Sequence, residues 1–249
     1  MAAIPAPADD DAYEAKARAE LDAWLRATAR APTPLDLAAR ELQTRIWAIT
    51  PEQLHTAVTE VVEALTRAVL AGADMTTPKP LAAIALGERE ARVRRAIDVY
   101  RTAGAVEGGV AGAGGFFLTM AEFPALLATK IKLLFDIAAA YGHDGRDLPE
   151  RLYILQIFQL AFSGGEHRRE LLTAMTDWEA RAERRPTSLD GLDWRRFQQE
   201  YRDYIDLAKM AQLIPVIGAP VGAVVNWRLL DKLGETAINA YRMRWFARS

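Results

Sequence analysis

From Leu54 onward the apolar residues Leu54, Val58, Val61, Val62, Leu65 and Val69 recur at steps of three and four, which places them on one stripe of an α-helix. Thr50 and Pro51 ahead of them supply an N-cap and a first-turn proline. The same period returns in Leu148, Leu152, Leu155, Phe158 and Phe162, and again in Trp227, Leu230, Leu233, Ala237, Tyr241 and Trp245. No stretch alternates with period two, so the pattern predicts an all-α chain. Turn-forming residues fall at Pro32 and Pro34 and at 76–80, 142–145, 163–165 and 186–191, dividing the chain into eight to ten helices. With no long low-complexity linker and no fixed-period repeat, the expected architecture is a single irregular multi-helix bundle over residues 12–249. The segment ahead of it, MAAIPAPADDD at 1–11, reads as a disordered acidic tail and lacks the basic and apolar regions of a signal peptide.

Two apolar segments interrupt this pattern with glycine. Gly104, Gly108 and Gly112 are four apart, with Gly115 just beyond, and Gly218 and Gly222 repeat that spacing. On helices these positions form smooth grooves that let two backbones approach closely. The two glycine-rich helices are therefore expected to pack together in the core. Neither supplies the roughly 20 uninterrupted apolar residues of a spanning helix. Glu107 and Glu122 bracket the first, and the second contains Gln212, Pro215, Pro220 and Asn226. A buried or re-entrant hairpin suits that composition better. A phosphate-cradling loop is not indicated, because GGVAGAGG has neither a preceding strand nor a following Lys-Ser or Lys-Thr.

Composition narrows the chemistry. The 249 residues carry 31 basic and 33 acidic side chains, a net charge of −2 that gives a polyanion such as nucleic acid no general attraction. The absence of cysteine removes disulfides and thiolate chemistry and fits a reducing compartment, the cytoplasm. His55, His143 and His167 do not have the spacing of a helical zinc site, so no metal is expected, and no cofactor motif is present. Ser163 and His167 are four apart, but Gly164 and Gly165 intervene, and a capping role for Ser163 is the better reading.

Charged and amide side chains set among apolar ones point to a site or an internal network, since a buried charge needs a partner. The candidates are Glu107, Glu122, Lys130, Asp136, Lys209, Gln212 and Asn226, with Lys132 and Asp136 spaced for an i,i+4 salt bridge. A register-fixing network is the simpler reading; a catalytic acid and base of a hydrolase acting on a lipid or peptide is the alternative. The last helix carries Arg228, Lys232, Arg242, Arg244 and Arg248 against Asp231 and Glu235, a balance of +3, beside Trp227, Trp245 and Phe246. That mixture is what an anionic bilayer surface favours. Trp227, Arg228, Arg242, Arg244, Trp245 and Arg248 are accordingly candidate membrane-surface contacts.

The segments EGGVAGAGG (107–115), AEFPALL (121–127), AAAYGHD (138–144), QLIPVIGAPVGAVVN (212–226) and AYRMR (240–244), in that order, resemble the EcsC family over roughly residues 73–245. The resemblance implies an all-helical fold. Because the family takes its name from a gene beside the subunits of an ABC transporter, it also implies a cytoplasmic accessory protein. Its expected partners are ABC transporter subunits and the inner face of the cytoplasmic membrane. No enzymatic activity and no oligomeric state come with it. Two residues depart from the family pattern: Glu122 stands where aspartate is usual, and Pro220 interrupts the second glycine motif, where it is expected to kink the helix. A carrier of an apolar ligand, held between the glycine-rich segments, is a third expectation.

Overall fold

The computed structural model describes residues 10–29, 78–81, 83–113, 115–163, 165–180 and 218–248. Among them are six α-helices and no strand: α1 (Asp10–Thr28), α2 (Leu86–Ala113), α3 (Gly115–Ala140), α4 (Leu148–Phe162), α5 (Gly165–Thr176) and α6 (Gly218–Ala247). The chain is all-α, as the periodicity predicts. The expected helix at 54–69 and the stretch around 186–191 lie outside the described residues. α1 starts inside the segment read as a tail, because Asp10 and Asp11 occupy its first turn, where carboxylates favour the positive helix end.

α2 and α6 form the long axis of the bundle and run antiparallel. Glu90 meets Arg242, Ile97 meets Gly234, Arg101 meets Asp231 and Gly104 meets Asn226 along the pair. Two glycines make the close approach. A Cβ on Gly104 would collide with Leu230 Cδ1 and lie 2.8 Å from Asn226 Nδ2, while one on Gly234 would lie 2.6 Å from Ile97 Cδ1. The helix bearing Gly104 thus packs on the helix bearing Gly218 and Gly222. The surroundings of Gly108, Gly112, Gly115, Gly218 and Gly222 lie outside the described side chains. The kink expected at Pro220 falls where α6 enters the described residues, at Gly218, and the turn that precedes it lies outside them.

α4 is buried on nearly all sides, with Leu152, Tyr153, Ile154, Leu155, Ile157, Phe158, Leu160 and Ala161 in the core. The expected stripe over 148–162 is therefore part of a central helix rather than an amphipathic one. Ser163 ends it as the C-cap, its Oγ donating to Gln159 O at 2.6 Å. His167 Nδ1 faces Glu170 at 3.2 Å, one turn along α5. α3 closes in a tight cap: Gly142 N donates to Ala139 O at 3.0 Å and His143 N to Ala138 O at 2.9 Å. Gly142 has φ +86°, which a side chain would strain. This turn aims His143 at the C-terminal part of α6.

Candidate functional site

The densest chemistry in the described structure lies where α6 ends. Arg242 and Arg244 are two residues apart, about 200° around the helix, so they leave α6 on opposite sides and enter different clusters. Arg242 donates through Nε and Nη2 to the two oxygens of Glu90, both at 2.7 Å, and also reaches Glu20 at 2.9 Å. Glu90 is 0% exposed and accepts further from Tyr13 OH at 2.7 Å and Tyr141 OH at 3.1 Å. On the other side Arg244 donates to Glu150 at 2.6 Å and to Glu179 at 2.7 Å. Glu150 also accepts from Tyr241 OH at 2.5 Å and lies 3.4 Å from His143 Nδ1.

Aromatic rings join the clusters. Tyr141 and Tyr241 stack with centroids 5.0 Å apart, and His143 sits 5.3 Å from Tyr241. Tyr153 lies edge-on to Tyr241 and donates to Ala240 O at 2.7 Å.

The surroundings keep the phenols protonated and the guanidinium groups charged. Burial, then the neighbouring carboxylates, raise the Tyr141 and Tyr241 phenols well above their ordinary range, and Tyr13 is pushed up to about 12 by burial and Glu90. Burial works against the charge of Arg242 and of Arg244, yet Glu90 and Glu150 respectively raise both guanidinium pKa values. His143 falls to about 3 through burial and the positive charges of Arg244 and Arg248, so the imidazole is neutral at physiological pH. Glu90 accepts four hydrogen bonds, one for each lone-pair position of its carboxylate.

The structure corrects the membrane-surface expectation for two residues. Arg242 and Arg244 are 2% and 6% exposed, and a guanidinium enclosed by carboxylates cannot meet a lipid headgroup. Trp245 is half-buried, with Nε1 donating to Glu14 at 3.0 Å, while Arg248 is exposed and reaches Glu179 at 3.2 Å. Trp227 and Arg228 are exposed, and Arg101 Cζ lies 3.7 Å over the Trp227 ring.

Of the expected polar cluster, Lys130 and Asn226 come together. Lys130 Nζ donates to Asn226 Oδ1 at 2.7 Å, and Asn226 Nδ2 donates to Gly104 O at 2.5 Å, a buried link tying α3, α6 and α2 at the glycine crossing. Asp136 lies apart from it, accepting from Tyr100 OH at 2.6 Å and from Lys132 at 3.2 Å, the i,i+4 pair expected from spacing. The side chains of Glu107 and Glu122, together with Lys209 and Gln212, lie outside the described residues. Glu90 and Glu150 escaped the sequence reading because both sit in charged segments, GEREARVRR and DLPER, that look like solvated surface.

The fold and this site define an all-helical protein whose densest polar chemistry is an internal lattice of ion pairs. The model of the EcsC protein family matches residues 15–246. Protein EcsC of Bacillus subtilis (strain 168) is 40% identical over 222 residues, covering 89% of this chain and 91% of that protein. Uncharacterized protein YdbA of the same organism is 32% identical over 142 residues, 57% of this chain and 52% of its own length. No solved structure matches. The chain belongs to the EcsC protein family.

Proposed function

We propose that this protein is a membrane-peripheral accessory protein, serving an ABC transporter or membrane-protein processing, and that it meets the bilayer at its glycine-rich end. The observation that carries this reading is the exposure of Val224 (51%) and Trp227 (40%) in the N-terminal part of α6, level with Gly104. Arg101, ion-paired with Asp231 at 2.9 Å, stacks on Trp227 and holds its ring, and Arg228, exposed beside it, adds the cation that together with the amphipathic ring suits a headgroup boundary. The same end carries residues 108–129, where Glu122 is the one charged side chain. Among the described residues no helix is long and apolar enough to cross a membrane, which accords with contact at the surface.

The test is flotation with vesicles of mixed phosphatidylglycerol and phosphatidylcholine. The parent is expected to float, and to keep part of its binding at high salt because apolar burial is not screened. A Val224→Ser, Trp227→Ser variant should bind at least tenfold more weakly while melting normally. Equal flotation of parent and variant, or loss of all parent binding at moderate salt, would refute contact through this end. Co-purification of transporter subunits after crosslinking in native membranes checks the partner.

A further inference from the structure

A second feature lies at the other end of α6. A cleft of about 460 Å³ opens between α1, the start of α2, the α3–α4 turn and the last turns of α6. That volume is in the range of small-molecule sites, roughly 300–1,000 Å³. Two of the segments that carry the family resemblance converge on it: Tyr141, Gly142 and His143 from 138–144, and Tyr241 from 240–244.

The lining has two chemical parts. The floor is flat and aromatic: the Tyr141–Tyr241 stack, the neutral imidazole of His143, and Trp245. Both tyrosine hydroxyls are turned into the carboxylates of Glu90 and Glu150 and both rings are buried, so the stack backs the floor while the half-buried His143 and Trp245 give the cleft its aromatic surface. The charged part is two guanidinium groups against one carboxylate. Arg89 braces the floor, its Nη1 donating to Ala140 O at 2.9 Å and its Nε to Ile84 O at 3.1 Å, with Cζ 5.5 Å from the Trp245 ring centre. Gly142 is what lets it in, since a Cβ there would stand 3.0 Å from Arg89 Nη1. Glu14 accepts from Trp245 Nε1. Arg248 stands at the mouth, its side chain 56% exposed, donating through Nη2 to Glu179, which leaves further donors of its fork for a bidentate acceptor.

We propose that this cleft is a binding site for a small organic anion with a flat ring, the ring lying against Trp245 and His143 and the anionic group meeting Arg248. The site faces solvent rather than the proposed bilayer contact. Residues 241–248 are some twenty positions along α6 from Val224 and Trp227, a span of about 30 Å at 1.5 Å per residue. The ligand therefore arrives from solution, and the site stands or falls separately from the membrane reading.

Fluorescence titration with 8-anilinonaphthalene-1-sulfonate and with its uncharged analogue N-phenyl-1-naphthylamine tests it. The sulfonate is expected to bind at one saturable site, at least tenfold more tightly than the analogue. Arg248→Glu should weaken the sulfonate at least tenfold and leave the analogue unchanged, whereas Trp245→Ala should weaken both. Melting curves of each variant establish that the fold is kept. The Val224→Ser, Trp227→Ser variant should retain full affinity for the sulfonate. Equal affinity for the two probes, indifference to Arg248→Glu, or loss of the sulfonate in the Val224 and Trp227 variant would overturn the proposal; the last would assign the probe to the apolar end.

Discussion

Replacing Arg242 with leucine should cost about 3 to 5 kcal/mol of folding stability, the usual consequence of stranding one member of a buried ion pair. The structure supports the upper part of that range. Glu90 is 0% exposed, and Arg242 supplies two of its hydrogen bonds at 2.7 Å, leaving two tyrosine hydroxyls and Arg94 at 3.7 Å to hold the charge. Glu20, bridged by the same guanidinium at 2.9 Å, is left with Lys16 at 3.8 Å. At about 2–4 °C per kcal/mol for a chain of this size, the melting temperature should fall by roughly 6 to 20 °C. Urea unfolding followed by circular dichroism, with calorimetry alongside, gives both numbers. A Glu90→Leu, Arg242→Leu double variant should be less damaged than Arg242→Leu alone, since it leaves no buried charge unpaired. A loss below about 1 kcal/mol in the single variant, the range of a solvent-exposed pair, or a double variant worse than the single, would refute the internal-lattice account. Alanine at Arg242 or Arg244 would thus confound a membrane-binding assay with unfolding, and Trp227 and Val224 are the cleaner positions.

Gly104→Ala should destabilise by about 1–3 kcal/mol through overpacking, because Leu230 is fully buried and Asn226 is held by Lys130 and by Gly104 O; an unchanged urea midpoint would contradict the close crossing. His143 contributes a pH dependence whose sign follows from its depressed pKa. The folded imidazole is neutral down to about pH 3, while the unfolded one takes up a proton below about 6.5, so the contribution is complete above that value and is lost as pH falls toward 3. The expected loss is about 1.4 kcal/mol per unit below pH 6.5, or roughly 2 kcal/mol between pH 8 and pH 5. His143→Gln should remove that component, and parallel pH profiles of melting temperature for parent and variant would show it absent.

Helix content and the boundaries near 142–145 and 163–165 were legible in the sequence because they depend on local chemistry: apolar residues at steps of three and four, and glycines that end a turn. The role of Gly104 as a point of close approach was legible for a related reason, since a missing side chain marks where two backbones can meet, whereas its counterpart on α6, Gly234, was not singled out. The Lys132–Asp136 pair, one turn apart, was legible too. The sense of the charges was not. Arg242 and Arg248 are alike in the sequence, yet one is sealed against a carboxylate 152 residues away and the other stands at a cleft mouth. A helical arginine carries no local signal of which neighbour the bundle will bring to it. Only the antiparallel packing of α2 on α6, together with the turn that places His143, decides which charges are buried as lattice and which remain for a ligand.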